Sequence, residues 1–287
     1  MVRRVCWFFA LAFPILPALG VTERSISAAP GTLVRWSAPR TTRCAMKGRS
    51  WVALNETCYY PIDILQKPGV VTVARWVAGR PEFARITVTP DNYGVETIEL
   101  PDIPQAHPSP EDLNTAERDK VLESKIWIRR EGPARFTLPL GPPSKPFPNG
   151  KGFGVQRIYN GKPDPQPHMG VDYPVPEGSP VIAVADGTVV LAQNLFYAGS
   201  AVFLDHGDGL VSMYFHLAKI DVLPGEKVEK GHTLGTVGST GRSTWPHLFF
   251  GVRWHDARID PDFLFEDVAK IPEIQTRSTQ RAAPRGE

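Results

Sequence analysis

The sequence has few cysteines, almost no net charge and no long apolar run after residue 20. It contains 3 cysteines in 287 residues, and its 32 basic residues nearly balance its 30 acidic ones. A balanced charge gives no electrostatic footprint for nucleic acid or for an anionic membrane surface. No later segment is long and apolar enough to cross a bilayer. We therefore expect a soluble protein that binds no nucleic acid.

The first twenty residues are typical of an export signal. Arg3 and Arg4 precede an apolar run over residues 5–19, and small residues surround Gly20. A basic region, a short apolar region and a small-residue cleavage site predict a signal peptide over residues 1–20. A membrane anchor is the alternative, although the run is short for a span. We expect an exported protein, located in the periplasm or outside the cell.

Removal of that segment leaves two cysteines, Cys44 and Cys58. Exported proteins meet an oxidising environment, so this pair predicts a disulfide that closes a loop of about fifteen residues. Two free thiols are the alternative. A zinc site built on these cysteines would lack partners at a usable spacing.

Proline and glycine are abundant, with 29 and 25 residues, and indicate many turns and short strands. Segments rich in β-branched and aromatic residues, at 31–36, 70–76 and 83–88, predict a small β-rich domain over residues 21–105. This region shows no catalytic cluster. We expect it to position or recognise a target.

A proline-rich break at residues 101–110 leads into a charged helix, within a linker over residues 106–135. Ser109 is a suitable N-cap, and Pro110 suits the first helical position. Acidic residues in the first turn complement the helix dipole. We expect the helix charges to form a solvated face.

Residues 136–266 alternate between strand-forming segments and turn signals. Strands are predicted at 179–184, 187–191, 201–204, 210–215 and 248–254. Hairpin-type turns at this spacing predict an antiparallel all-β domain. Residues 267–287 are polar and lack periodicity, so we expect a disordered tail. The predicted fold class is mainly β, with a C-terminal antiparallel β domain preceded by a small β-rich domain and a short helical linker.

Histidine and carboxylate side chains in the last domain indicate a metal site. His168 and Asp172 lie four residues apart, and both are ligand types that Zn²⁺ accepts. His247 opens the last long strand, so Phe249 and Gly251 share its face. An ordinary loop ion pair between His168 and Asp172 is the alternative.

Ten short motifs occur in a fixed order across residues 153–263. They are FG at 153–154, HMGVD at 168–172, ADGTV at 185–189, DHG at 205–207, YFHL at 214–217, VLPGEKV at 222–228, GHTLG at 231–235, GSTG at 238–241, PHL at 246–248 and IDP at 259–261. In this order the sequence resembles the lysostaphin/LytM family of zinc metallopeptidases, which cut peptide bonds in bacterial peptidoglycan. One departure is Trp245, since the family usually has a small residue there.

The resemblance implies a zinc ion held by His168, Asp172 and a third ligand, whose position is occupied here by Phe249. The family's two non-ligand catalytic histidines correspond to His216 and His247. In the family, the metal activates its water and polarises the scissile carbonyl, while a histidine takes the proton or stabilises the oxyanion. Phe249 removes a donor and places an apolar wall beside the ion, so we expect much weaker metal binding.

Two functions stay open. The first is an exported zinc endopeptidase that hydrolyses peptide bonds in peptidoglycan stem peptides or cross-links, with an incomplete metal site. The second is a catalytically inactive family member that binds peptidoglycan or regulates another cell-wall hydrolase. Zinc is the expected cofactor if the site is active. In both cases peptidoglycan is the expected partner, and no membrane anchor remains after signal removal.

The other histidines are expected to have no catalytic role. His206 adjoins a turn and is interpreted as structural, whereas His107, His232 and His255 are interpreted as surface residues. One further hypothesis places Arg253 in the groove, where it would meet a substrate carboxylate.

Overall fold

The structure is a computed structural model that describes residues 22–128 and 132–278. Its N-terminal region is built of short strands. They are β1 (Thr22–Ala28), β2 (Leu33–Ser37), β3 (Thr41–Met46), β4 (Arg49–Val52), β5 (Thr57–Pro61), β6 (Gly69–Val77), β7 (Arg80–Val88) and β8 (Val95–Ile98). The predicted signal peptide lies outside the described residues. No described helix is both long and apolar enough to span a membrane.

Five of the N-terminal strands, β1, β3, β4, β6 and β7, belong to one sheet built around a long hairpin. β6 and β7 pair over their whole length, from Gly69 opposite Val88 to Val77 opposite Arg80. Ala78 and Gly79 form the two-residue turn, and both have positive φ, of 49° and 78°. This is the turn whose twist matches that of the strands it joins. β3 and β4 extend the sheet on one side, and β1 on the other.

The predicted disulfide between Cys44 and Cys58 is confirmed. It joins β3 to β5, so it links the six-stranded sheet to the separate two-stranded ribbon of β2 and β5. Both cysteines are fully buried in an N-terminal core that also contains Trp36, Tyr60 and Ile86.

The predicted helix is confirmed as α1 (Pro110–Ile128). Its first turn has reciprocal hydrogen bonds, because Asp112 N donates to Ser109 Oγ and Ser109 N donates to Asp112 Oδ2. This is a capping box that satisfies amides at the helix start. The other end of the helix buries Ile126 against the sheet that follows, so one face of α1 is not solvated.

The C-terminal region is a nearly continuous series of strands. They are β9 (Gln156–Tyr159), β10 (Lys162–Pro163), β11 (Val171–Tyr173), β12 (Pro180–Ile182), β13 (Gly187–Leu195), β14 (Gly199–Asp205), β15 (Leu210–Ile220), β16 (Lys227–Val228), β17 (Thr233–Val237), β18 (Leu248–Trp254) and β19 (Ala257–Ile259), followed by α2 (Asp262–Phe265) and β20 (Gln275–Ser278). The main sheet runs in the order β11-β18-β15-β14-β13-β16, and its pairs are antiparallel. The mainly β fold with an antiparallel C-terminal sheet is therefore confirmed.

The two faces of the main sheet have different surroundings. The even-numbered residues of β18, from Leu248 to Trp254, pack into a larger core with Leu210 and Tyr214 of β15. The odd-numbered residues of β18 lie on the opposite face of the sheet. There, Phe215 adjoins a helix-covered core formed by Ile126 of α1 with Leu191, Phe203 and Met213. The candidate site lies on this second face.

Contacts cross the predicted boundary near residue 135. β8 pairs in parallel with β9, and Leu33, Tyr59 and Ile64 pack into the larger core. Asp63 accepts two hydrogen bonds from the Arg258 guanidinium, each of 2.9 Å. The N-terminal strands are therefore packed directly against the sheet that carries the candidate site.

The expected disordered tail over residues 267–287 is wrong for residues 267–278. After a short 3₁₀ turn at Val268–Lys270, Ile271 packs into the larger core and Ile274 into the N-terminal core. β20 then pairs antiparallel with β1. Two buried isoleucines hold this segment despite its polar composition. Residues 279–287 lie outside the described residues.

Candidate active site

Asp172 lies at the centre of the candidate site, on β11. Its side chain is 7% exposed, and its Oδ2 accepts a hydrogen bond from the guanidinium of Arg157. Its Oδ1 is buried and has no hydrogen-bond partner. The Nε2 atoms of His168 and His247 lie 3.3 and 3.4 Å from that oxygen. The structure therefore brings together three of the four predicted site residues around one carboxylate oxygen.

The three imidazoles are oriented by backbone carbonyls. The contacts are His168 Nδ1 to Gly152 O at 3.0 Å, His216 Nδ1 to Thr240 O at 2.8 Å, and His247 Nδ1 to Trp245 O at 2.8 Å. A carbonyl oxygen can only accept, so each Nδ1 carries the hydrogen. Each Nε2 is then left with its lone pair when the ring is neutral. Backbone contacts of this kind orient histidines that bind metals or move protons.

His216 is the fourth predicted residue, and it lies beside His247. Their ring centroids are 4.8 Å apart. His216 has a φ of 63°, which is uncommon for a residue with a side chain and is concentrated at functional sites. Its backbone N donates to Ala198 O, and its ring donates to Thr240 O, so two neighbouring loops hold this conformation.

The pKa values of two groups in the site are lowered, although burial acts on them in opposite directions. Burial alone would raise the pKa of Asp172, but the contacts with His168 and His247 and the charge of Arg157 hold that pKa well below its usual value. Burial, with the nearby His247, lowers the pKa of His216 to about 3. At neutral pH the site therefore contains a carboxylate and an unprotonated His216.

Phe249 fills the position of the third expected ligand. It lies directly opposite Asp172 in the pairing of β11 with β18. Its ring stacks on Phe215, with centroids 4.7 Å apart and planes 6° apart, and meets His168 edge-on at 5.2 Å. A Cβ atom at Gly170 would lie 2.5 Å from the phenyl ring, so this glycine is needed for the close approach.

The residues present do not fit a catalytic zinc, which takes three protein ligands and keeps one position open. The buried, unpartnered Oδ1 of Asp172 and the Nε2 of His168 would suit a cation. The position opposite Asp172, however, carries a phenyl ring. Among the residues that the structure describes, no group of three or more His, Cys, Asp or Glu side chains could hold a metal ion.

Arg157 borders the site and was not identified from the sequence. It lies on β9, where its Nε is 3.3 Å from the Glu96 carboxylate of β8. Asp172 and Glu96 therefore flank one guanidinium. The nearby FG motif marked this part of the chain, but the pairing depends on the parallel alignment of β8 with β9, which sequence spacing does not reveal.

Aromatic and charged side chains lie on and beside the loop that orients His216 and His247. The Cζ of Arg242 lies over the rings of Tyr159 and Tyr197, 4.2 and 4.8 Å from their centroids. It also donates a 2.7 Å hydrogen bond to Asp164 Oδ2. Trp245 is 38% exposed, and its ring lies 4.5 Å from that of His247.

The histidines outside the candidate site differ in burial, and Arg253 contacts the helix α1. His206 is fully buried and structural, as expected, and His232 is exposed. His255 was expected to be exposed, but its side chain is 7% exposed and its ring stacks on Trp51 at 4.1 Å. Arg253 lies with its guanidinium 4.7 Å from the Trp127 ring of α1, so this helix side chain covers it.

Comparison with known proteins identifies the relatives of this region. The family model for Peptidase family M23 matches residues 166–261. The peptidoglycan DD-endopeptidase ShyA of Vibrio cholerae is 41% identical over 98 residues, which is 34% of this chain and 23% of that protein. The DD-carboxypeptidase/endopeptidase Mpg of Neisseria meningitidis is 39% identical over 94 residues, or 33% and 22% of the two chains. The matched segment thus spans about a quarter of these curated relatives.

A crystal structure from Pseudomonas aeruginosa, provisionally named a peptidase M23, resembles a larger part of the chain. The TM-score is 0.63 and the sequences are 30% identical, over 83% of this chain and 94% of that one. This likeness includes the N-terminal strands as well as the segment that the family model matches. The chain described here therefore belongs to peptidase family M23.

Proposed function

We propose that this protein is an exported peptidoglycan endopeptidase of family M23 whose metal site is incomplete. Its substrate would be the peptide bonds of cell-wall stem peptides or cross-links. Relatives named as peptidoglycan DD-endopeptidases support the substrate class. The observation that carries the proposal is the convergence of His168 and His247 on the unpartnered Oδ1 of Asp172, with the His216 ring 4.8 Å from that of His247.

The chain's own residues provide the means to hold and move a proton. His216 and His247 donate from Nδ1 to backbone carbonyls, so each Nε2 has a lone pair that can accept a hydrogen bond or a proton from a water. Asp172, kept ionised beside Arg157, would stabilise positive charge on an imidazole. Trp245 and Phe249 would limit the access of water to these groups.

A second candidate function is supported by Phe249. The phenyl ring removes the third donor, so a member of the family could bind peptidoglycan without cutting it, or regulate another cell-wall hydrolase. In that case the groove and its histidines would serve recognition. Such a binding protein would hold no zinc, whereas an active endopeptidase would need a zinc ion, for which His168 and Asp172 are the only two of the expected three donors.

Metal content and digestion of purified peptidoglycan separate the two candidates. The protein is loaded with Zn²⁺, its metal content is measured by mass spectrometry, and released peptides are separated by chromatography. Chelator-sensitive release of peptides supports the endopeptidase. Retention on peptidoglycan without release, and without bound metal, supports the binding protein. If the protein neither releases peptides nor is retained on peptidoglycan, both candidate functions are contradicted.

Export and domain organisation belong to the same proposal. The periplasmic or extracellular location depends on the predicted signal over residues 1–20. Fractionation of cells that express the chain with and without this segment tests it. We also propose that the β-rich region of residues 21–105 positions the peptidase domain of residues 136–266, which the contacts between β8 and β9 support.

A further inference from the structure

We infer that Arg242 is a carboxylate-recognition residue, which selects bound peptides that carry a free carboxylate near the reacting bond. The inference rests on the proposed action on peptidoglycan peptides and specifies their chemistry. It assigns a specificity role to a residue outside the group of histidines around Asp172.

Arg242 lies on the loop that holds both catalytic histidine candidates. Two residues before it, Thr240 O accepts the hydrogen bond from the His216 ring. One residue after it, Ser243 Oγ lies 3.3 Å from His247 Nδ1. A ligand that contacts Arg242 therefore meets the same short loop that orients His216 and His247.

The guanidinium plane is fixed before any ligand arrives. The guanidinium lies over the rings of both Tyr159 and Tyr197, and both contacts have cation–π distances. The backbone N of Arg242 also donates a 2.9 Å hydrogen bond to Tyr197 O. A preorganised planar fork loses less entropy when it binds a carboxylate, which favours arginine over lysine at such a position.

Asp164 is the carboxylate that Arg242 contacts in the structure. Its Oδ2 accepts from Arg242 Nη2 at 2.7 Å, which uses one of the five N–H donors of the guanidinium. The Arg242 side chain is 26% exposed, so the group reaches solvent. A carboxylate on a bound peptide could therefore share the guanidinium with Asp164 or displace it.

Two other arginines near this face are already committed elsewhere. Arg157 is shared between Asp172 and Glu96, and its side chain is 14% exposed. Arg253 is covered by Trp127 of α1. Arg242 therefore combines solvent access, fixed orientation and proximity to the histidines.

The test measures peptide binding to the full chain by fluorescence anisotropy. The probe is dye-labelled L-alanyl-γ-D-glutamyl-L-lysyl-D-alanyl-D-alanine, compared with forms amidated at either carboxyl group. The variants are Arg242→Gln, Arg242→Lys and Asp164→Asn. Arg43→Gln is the matched control, since Arg43 lies over the Trp76 ring at 4.2 Å in the N-terminal sheet, away from the site.

We expect the wild type and Arg43→Gln to bind the free acid about tenfold more tightly than one of the amides. Arg242→Gln should lose this preference, and Arg242→Lys should recover part of it. Asp164→Asn should bind the free acid more tightly, a gain that misfolding cannot produce. An unchanged preference in Arg242→Gln would overturn the inference while the proposed function stands. If the protein neither binds the peptide nor acts on whole peptidoglycan, both the inference about Arg242 and the proposed function are overturned.

Discussion

Phe249 lies directly opposite Asp172 in the antiparallel pairing of β11 with β18. Residues in this relation have Cβ atoms about 4.5–5.5 Å apart and share one face of the sheet. A side chain with a donor atom at position 249 would therefore meet the Asp172 carboxylate. The phenyl ring instead stacks on Phe215, which makes an apolar pair at the floor of a polar site.

Replacing Phe249 by histidine should restore a third donor next to His168 and Asp172. We expect Zn²⁺ affinity to rise at least about 100-fold, since structural zinc sites gain on the order of 10 kcal/mol from a full ligand set. Isothermal titration calorimetry with Zn²⁺ measures the change. Phe249→Leu is the control, because it removes the ring without adding a donor and should leave the affinity low. Equal Zn²⁺ affinities in the two variants would contradict the assignment of position 249 as the third ligand position.

Replacing Asp172 by alanine should destabilise the protein, because it leaves the Arg157 guanidinium with only the more exposed Glu96 as a carboxylate partner. Loss of one partner of a buried ion pair costs about 3 kcal/mol. Urea unfolding of Asp172→Ala, Arg157→Met and the double variant measures the coupling between the two residues. The double variant should be more stable than Asp172→Ala. Strictly additive losses would mean that the two side chains do not interact in solution.

His206 should make stability depend on pH below neutrality. Burial lowers the pKa of His206 to about 4, whereas an unfolded histidine titrates near 6.5. Between these two pH values the unfolded chain binds more protons than the folded chain, so acidification lowers the free energy of unfolding. The contribution of His206 to this loss is about 3 kcal/mol.

The His206→Gln variant isolates this contribution, because glutamine does not titrate. The wild type should lose more of its free energy of unfolding than the variant as the pH falls from about 6.5 to about 4. Urea unfolding at a series of pH values gives the difference between the two proteins. If the difference in free energy of unfolding between the two proteins stays constant across this pH range, His206 is not held neutral by burial.

The disulfide should contribute about 3 kcal/mol to stability, because it closes a loop with a sequence separation of 14. Replacing Cys44 and Cys58 by alanine should lower the melting temperature by roughly 6–12 °C. Differential scanning calorimetry of both proteins, with and without reductant, makes the measurement. Reductant should lower the melting temperature of the wild type alone. An effect of equal size on the alanine variant would show that the Cys44–Cys58 disulfide is not the target of the reductant.

Local patterns were sufficient to predict several of the longer elements of this fold. β-branched segments predicted β6, β7 and β18, and Ser109 with Pro110 predicted the start of α1. In each case the signal lies in adjacent residues, where strand alternation or a capping residue acts directly on the backbone. The disulfide was predictable for a similar reason, since only two cysteines remain after residue 20.

The features that the sequence concealed depend on contacts between distant residues. Arg242 and Asp164 are 78 positions apart, and nothing in either local sequence indicates their pairing. The ordered tail was missed because Ile271 and Ile274 are two apolar residues in a polar segment, and their burial depends on both cores. His255 was misjudged because its stacking partner, Trp51, lies on β4, far away in the sequence.

The pairing of β1 with β20 has a mechanical consequence. Thr22 lies opposite Ser278, at the outer ends of the two strands. Backbone hydrogen bonds in an antiparallel pair run perpendicular to the strands. A force that separates these two ends would load the bonds one after another, as in a zipper, rather than all together. Tension applied through the ends of this region would therefore peel β20 from the sheet edge at low force, while the cores beneath stay folded.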